Sequence, residues 1–135
     1  MPVSLFDGNV LVYLASAEVA KADRAEAAAA GGGAISIQVL NELANVARRK
    51  MRMAWTDIHA FLGLLRVVLT VHPLTLKTHD TGLALAGQYG LSTYDSMIAA
   101  SALHAGCDTL WSEDMQDGMI LEGRLRIVDP FRAAA

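Results

Sequence analysis

The 135-residue chain holds 11 Lys and Arg against 14 Asp and Glu, a formal net charge of -3, with 53% hydrophobic residues and 3 prolines. That apolar content can cover roughly two thirds of the surface an unfolded chain would expose, which excludes disorder as the main description. A mildly acidic chain has no broad basic face for a polyanion, so nucleic-acid binding would need a local positive cluster or bound cations.

The single cysteine, Cys107, lies in an apolar, helical-looking stretch and reads as a small buried hydrophobe. With no disulfide framework, a reducing intracellular setting fits best. No charged and apolar leader opens the chain, and Asp7 interrupts the first apolar run. The longest mostly apolar window, Ile58 to Leu69, contains His59 and Arg66 and falls short of the ~20 residues of a membrane helix. A cytoplasmic protein without a membrane segment is expected.

In chain order, Val3 to Phe6 predicts a short strand ending at the turn-prone Asp7-Gly8-Asn9, after which Val10, Leu11 and Leu14 begin a helical pattern. The Ala-rich stretch 17–30 predicts a helix stopped by Gly31-Gly32-Gly33, with a low-complexity linker over 25–33 as the alternative. Ala34 to Ile37 predicts a second strand. Val39, Leu40, Leu43, Val46 and Ala47 then recur at helical spacing up to the basic end Arg48, Arg49, Lys50 and Arg52, where cations suit the dipole. Thr56 or Asp57 can cap another helix running to Leu69, and Val71 to Leu74 suggests a brief strand. Helices follow over Thr78 to Tyr89 and from Ser92 to near Gly106. Two more strands, Thr109 to Ser112 and Arg126 to Val128, complete the pattern.

Short apolar strands alternating with amphipathic helices predict an α/β fold, a three-layer α/β/α sandwich on a short parallel sheet of four or five strands. One domain over 1–131 with a C-terminal tail at 132–135 is expected. Ligands of such sheets gather beyond the carboxyl ends of the strands.

Four acids draw notice there. Asp7 follows the first strand and Asp114 the fourth, so a parallel sheet brings both to one edge; each alone can also be a turn or cap aspartate. Glu42 falls three residues after Val39 and four before Val46, on the apolar stripe of its helix, where an unpaired carboxylate is costly unless it reaches the stripe's edge. Asp95 completes a capping-box pattern with Ser92, yet it also heads the stripe of Ile98, Ala99 and Ala102. Ionised carboxylates a few Å apart repel, and a divalent hard cation relieves that repulsion. Oxygen-only ligation selects Mg²⁺, with Mn²⁺ as the substitute, over zinc. His59, His72, His79 and His104 show no ligand spacing and read as surface or packing residues. A metal-activated water and an electrophilic clamp on phosphate oxygens amount to phosphodiester hydrolysis, by one metal or two.

Four segments carry a family resemblance: Phe6-Asp7-Gly8-Asn9-Val10-Leu11-Val12-Tyr13, Asn41-Glu42-Leu43-Ala44-Asn45-Val46, Gly90 to Ala100 around Ser92-Thr93-Tyr94-Asp95, and Leu110-Trp111-Ser112-Glu113-Asp114-Met115-Gln116-Asp117-Gly118. With Val128-Asp129-Pro130-Phe131 as the close, the chain resembles the PIN domain nearly end to end, and within that family the VapC-type toxins of prokaryotic toxin-antitoxin pairs. The resemblance implies a magnesium-dependent endoribonuclease, a hydrolase that cleaves RNA until a cognate VapB-like antitoxin blocks it, and a toxin that dimerises. It implies Asp7, Glu42, Asp95 and Asp114 as the catalytic acids, Asp7 and Asp95 as the metal ligands, Asp117 as an outer acid, and Asn9 and Ser112 as orienting polar residues. Gly8 departs from the Thr or Ser usual in the family. It removes one possible hydrogen bond and loosens the backbone beside a proposed ligand, which would weaken activity or metal affinity.

Arg48, Arg49, Lys50 and Arg52 form the dense basic segment, a candidate contact for RNA phosphates or else a solvated helix end. The apolar helices Ala15 to Ala30 and Ile58 to Leu69 carry Trp55, Phe61 and Leu65 in or beside them as candidate contacts for an antitoxin segment, with core packing as the alternative. The rival enzyme is a haloacid-dehalogenase-like phosphatase, echoed by Asp7-Gly8-Asn9-Val10-Leu11; it wants a second Asp where Asn9 stands and a positioned Lys, for which Lys77 is a poor candidate. The rival without catalysis is a PIN-like binding module, which Gly8 makes plausible.

Overall fold

The computed structural model describes residues 3–132. Of the tail expected at 132–135, residues 133–135 lie outside the described residues. The elements, in order, are β1 (Ser4–Phe6), α1 (Gly8–Leu11), a 3-10 turn (Val12–Ala15), α2 (Val19–Ala29), β2 (Ala34–Ser36), α3 (Ile37–Arg49), α4 (Trp55–Val68), β3 (Thr70–His72), α5 (Leu76–Tyr89), α6 (Thr93–His104), β4 (Thr109–Trp111), β5 (Ile120–Leu121) and β6 (Leu125–Val128).

The sheet runs β3-β2-β1-β4-β6-β5, with the first five strands mutually parallel and β5 antiparallel to β6. The five parallel strands are those the hydrophobic runs predicted. The sixth is a two-residue strand in a tight hairpin, closed by Glu122 and Gly123 at φ 54° and 67°; two residues are too few to show a period of two in sequence. Every residue of β1 and β2 is buried. Successive strand side chains point to opposite faces, so helices cover both faces of the central sheet.

The chain builds outward from β1 through β2 to β3, then returns to place β4 on the other side of β1. The strand order therefore reverses between β1 and β4, and the crevice beyond their carboxyl ends is the switch point at which open α/β sheets bind ligands. Register puts Phe6 beside Trp111, and the Asp7 amide donates to the Trp111 carbonyl at 2.9 Å. The connections carrying Asp7 and Ser112-Glu113-Asp114 thus leave the sheet side by side.

Two helices frame that crevice. In α3, Ser36 caps the N-terminus by accepting from the Val39 amide at 3.1 Å, and Val39, Leu40, Leu43 and Ala47 form the buried stripe. In α6, residues Ser96 to Leu103 are all buried, because the helix lies between the sheet and α5. Gly82 of α5 makes that packing possible: a Cβ there would sit 2.5 Å from the Met97 sulfur. Cys107 is buried as expected, and burial pushes its thiol up to about 11. Among the described residues no helix is long and apolar enough to cross a membrane.

Candidate active site

A cleft of about 490 Å³ opens at the switch point, and Asp7, Glu42, Asp95 and Asp114 all line it, together with Gly8, Asn9 and Lys50. Carboxylates from four distant segments therefore share one cavity. None of them forms an ion pair among the described residues.

Asp7 is the deepest, only 5% exposed. Its Oδ2 accepts from the Ser112 hydroxyl at 2.9 Å and from the Asn9 amide at 3.2 Å. Asn9 also donates to Ser112 Oγ at 3.4 Å and accepts the Glu113 amide at 3.0 Å, while Ser112 Oγ accepts the Met115 amide at 3.3 Å. These bonds close a polar ring at the ends of β1 and β4, and Asp7 lines the cleft beside it. Desolvation pushes Asp7 up to about 6 from its ordinary 3.8, and the charges of Asp95 and Glu42 add to the rise against the opposing Ser112 bond.

Glu42 is half-buried at the edge of the α3 stripe, so the carboxylate reaches the cleft while Leu43 beside it packs inward. Desolvation raises its pKa and Asp95 contributes, opposed by a hydrogen bond from Gln38. Asp95 sits in the first turn of α6. Its amide donates to the Ser92 hydroxyl at 3.2 Å, half of the capping box the sequence suggests, and its half-buried carboxylate lines the cleft. Asp114 is exposed at the rim.

Asp117 does not join them. Its carboxylate accepts the Asp129 amide at 2.8 Å and lies 3.9 Å from Arg132, tying the loop after β4 to the end of β6. Of the basic segment, Lys50 alone among the described residues lines the cleft. Arg48 folds back instead, its guanidinium 4.7 Å over the Trp55 ring and donating to the Met53 carbonyl at 3.1 Å; Arg49 and Arg52 are exposed.

Two contacts escaped the sequence reading. Gln38 donates both to Glu42 Oε1 at 3.1 Å and to the Tyr94 carbonyl at 3.0 Å; the four-residue spacing to Glu42 was the available signal. Lys21 pairs with Glu113 at 2.7 Å and reaches the Tyr13 hydroxyl at 3.0 Å, while that hydroxyl donates to Glu113 at 2.8 Å. Those three residues are too far apart in sequence for any local pattern to join them.

Among the described residues no three His, Cys, Asp or Glu side chains stand close enough to hold one ion between them. The site therefore does not fit a metal enclosed by protein ligands. It does fit a hard divalent cation held by one or two carboxylates and otherwise by water, since unneutralised carboxylate oxygens line the cleft. A second cavity, about 430 Å³ and apolar, lies between α2 and α4 and is lined by Leu14, Ala29, Phe61, Leu64, Leu65 and Val68. Phe61 and Leu65 face it; Trp55 does not line it.

Comparison with known proteins agrees with this architecture. A chain from a toxin-antitoxin complex of Klebsiella pneumoniae superimposes with a TM-score of 0.74 at 21% identity, covering 96% of this chain and 99% of that one. A chain of DNA-bound VapBC from Salmonella typhimurium gives 0.70 at 20%, with 96% and 99% coverage. VapC20 of Mycobacterium tuberculosis, a sarcin-ricin loop cleaving toxin, gives 0.67 at 17%, with 82% and 89% coverage. At such identities the likeness establishes the fold. Among curated proteins, none matches the chain in sequence. The family model of the PIN domain, however, matches residues 4–116, from β1 through the loop that bears Asp114, and the chain belongs to the PIN domain family.

Proposed function

We propose that this protein is a metal-dependent endoribonuclease, the toxin of a toxin-antitoxin pair, hydrolysing RNA phosphodiester bonds in the acidic cleft. One observation carries the reading: carboxylates from four separate segments line a single cavity at the switch point of a PIN domain sheet, without a cation paired to any of them among the described residues. That arrangement is costly for folding alone, because like charges crowd a partly desolvated space.

A bound Mg²⁺ or Mn²⁺ supplies Lewis-acid polarisation of the phosphodiester and a water of lowered pKa. Asp7 and Asp95 are the proposed ligands. Asn9 and Ser112 hold Asp7 Oδ2 in place, and the Asp7 carboxylate lines the cleft where the cation would bind. Glu42 and Asp114, which line the same cleft, would accept protons or water hydrogen bonds around the reacting phosphate. Lys50 offers the phosphate a charge partner at the cleft, and Arg49 and Arg52 extend that contact along the strand. Asp117 serves this reading as a loop tie.

The apolar groove between α2 and α4 is the proposed seat of a VapB-like antitoxin segment, consistent with the complexes that PIN domain neighbours form. A homodimer belongs to the same reading. Membership of the PIN domain family, and the engagement of Asn9 with Asp7 and Ser112 where a phosphatase needs an acid, leave the phosphatase without support.

The test is cleavage of a structured RNA by the purified protein with Mg²⁺ or Mn²⁺, against EDTA and against Asp7→Asn and Asp95→Asn variants. Cleavage that needs the cation and disappears in both variants is the expected result. An inert wild type that still binds RNA or an antitoxin peptide would make it a binding module. Phosphate release from small phosphomonoesters would revive the phosphatase.

A further inference from the structure

The two walls that carry Glu42 and Asp95 come from different helices, and one side chain spans them. Gln38, in the first turn of α3, uses its single amide nitrogen twice: on Glu42 Oε1 at 3.1 Å within its own helix, and on the Tyr94 carbonyl at 3.0 Å in the first turn of α6. Tyr94 immediately precedes Asp95. Glu42 has no other side-chain hydrogen bond among the described residues, and the Asp95 carboxylate has none. By contrast, Asp7 receives two side-chain donors that are themselves cross-linked.

We propose that Gln38 is a positioning residue of the cleft, holding the Glu42 carboxylate and the α6 turn that bears Asp95 at a fixed separation so that both face one cation site. The proposal rests on the reading of the cleft as a cation site. The chemistry is specific to an amide at this position. A carboxamide nitrogen has two protons, one for each acceptor, and no charge to compete with a cation. A Met of similar length fills the same space with no donor. A Glu adds a further carboxylate against Glu42 and meets the Tyr94 carbonyl with an acceptor. Losing a hydrogen-bond partner of a ligand costs metal sites roughly 10 to 100-fold in affinity, and because Gln38 reaches Asp95 only through the Tyr94 carbonyl, the low end of that range is expected.

The experiment is Mn²⁺ binding to the purified full chain without RNA, read from the EPR signal of free Mn²⁺, for wild type, Gln38→Met, Gln38→Glu and Asp7→Asn, with Tm of the metal-free proteins beside it. Expected are binding by wild type, none by Asp7→Asn, and an affinity lower by about tenfold or more in Gln38→Met at unchanged Tm. In RNA cleavage, Gln38→Met then requires more Mn²⁺ for half-maximal rate, with KM for RNA unmoved. Gln38→Met binding Mn²⁺ as wild type does would overturn the proposal and leave the cation reading intact. So would an affinity loss tracking a fall in Tm, since that is a folding defect. A wild type that binds no Mn²⁺ overturns the cation reading, and the proposal falls with it.

Discussion

The acidic cleft has two unlike halves. The corner at β1 and β4 is buried and cross-linked: Asp7 is 5% exposed, and Asn9, Ser112 and the Glu113 and Met115 amides surround it with bonds between elements adjacent in the sheet. The wall formed by α3 and α6 is half-exposed, and one glutamine side chain links Glu42 to the turn that bears Asp95. The corner gains its rigidity from strand pairing, which sets Phe6 beside Trp111 through backbone register. The wall is formed by two helices that the Gln38 side chain joins through the Tyr94 carbonyl. If the proposed function holds, a site so divided would keep one cation ligand in place while the others adjust to substrate, in keeping with the few protein ligands a hard divalent cation such as Mg²⁺ commonly takes.

The largest effect should come from Asp7→Asn. Loss of the deepest carboxylate should lower cleavage by at least about 10²-fold, the scale on which removal of one preorganised electrostatic group acts. The same change should stabilise the metal-free protein at neutral pH. Burial raises Asp7 to about 6 from 3.8, so the folded state binds more protons than the unfolded one between those values. Unfolding free energy contributed by this group is therefore fully present below pH 3.8 and lost as pH rises through about 6. The loss amounts to about 3 kcal/mol at most, from 1.36 kcal/mol per unit. Urea unfolding without metal at pH 4 and pH 7.5 checks this: Asp7→Asn should flatten the decline between the two. An Asp7→Asn protein less stable than wild type at pH 7.5 would mean the corner is built around the charge.

Ser112→Ala should act next, and with a pH signature. The hydroxyl donates to Asp7 Oδ2, a bond worth about 1.5–3 kcal/mol when the acceptor is charged and less when it is neutral. The variant should thus lose more stability at pH 7.5 than at pH 4.5. Equal losses at both pH values would show that Ser112 works through the Met115 amide instead.

A smaller effect, local rather than global, is expected from Lys21→Met. The Lys21–Glu113 contact joins α2 to the residue before Asp114, with Tyr13 bonded to both. Both side chains are partly solvated, so Tm should barely move. Amide exchange over 113–117 should quicken because the segment loses its outer anchor while Asn9 still holds the Glu113 amide. Unchanged exchange would assign the loop's order to the Asp117 tie to Asp129.

How far the sequence revealed this follows from the range of each interaction. Apolar runs mark the five parallel strands, and strand ends mark Asp7 and Asp114, because parallel order alone carries both to one edge. Glu42 is legible as a carboxylate on a stripe, with Val39 and Leu43 buried beside it. Helix periodicity does not say whether such a residue is buried or at the margin, and it stands at the margin. Asp95 looks like a reciprocal cap, yet the structure keeps only the amide half of that box. Arg48 reads as part of a basic patch, but Trp55 claims its guanidinium through a turn whose geometry depends on Arg52 at φ 54°. Gln38 was open to an i,i+4 reading with Glu42; its second bond to Tyr94 depends on tertiary contact and has no local signal.

Gly8 gives the most discriminating test of the two halves. It begins α1 directly after Asp7, and the sequence reading treats it as a loosened backbone and a missing hydroxyl. A Cβ there would meet Leu43 and Val39 at 3.6 Å, ordinary contact distance, and its φ is not in the left-handed region. Ala should therefore fit without displacing α3 and should stabilise the fold by about 0.5–1 kcal/mol through lower entropy of the unfolded chain. If hydrogen bonds already hold the Asp7 corner rigid, Gly8→Ala raises Tm by a few degrees and leaves Mn²⁺ affinity alone. A gain in affinity would mean that backbone freedom beside Asp7 had been limiting. Gly8→Ser separates the second effect: improvement beyond Ala belongs to the hydroxyl, whose nearest neighbours on this wall, Leu43 and Val39, are apolar and offer it no partner. Serine should accordingly do no better than alanine, and a serine variant that binds Mn²⁺ more tightly than alanine would show that a hydroxyl here reaches the cleft.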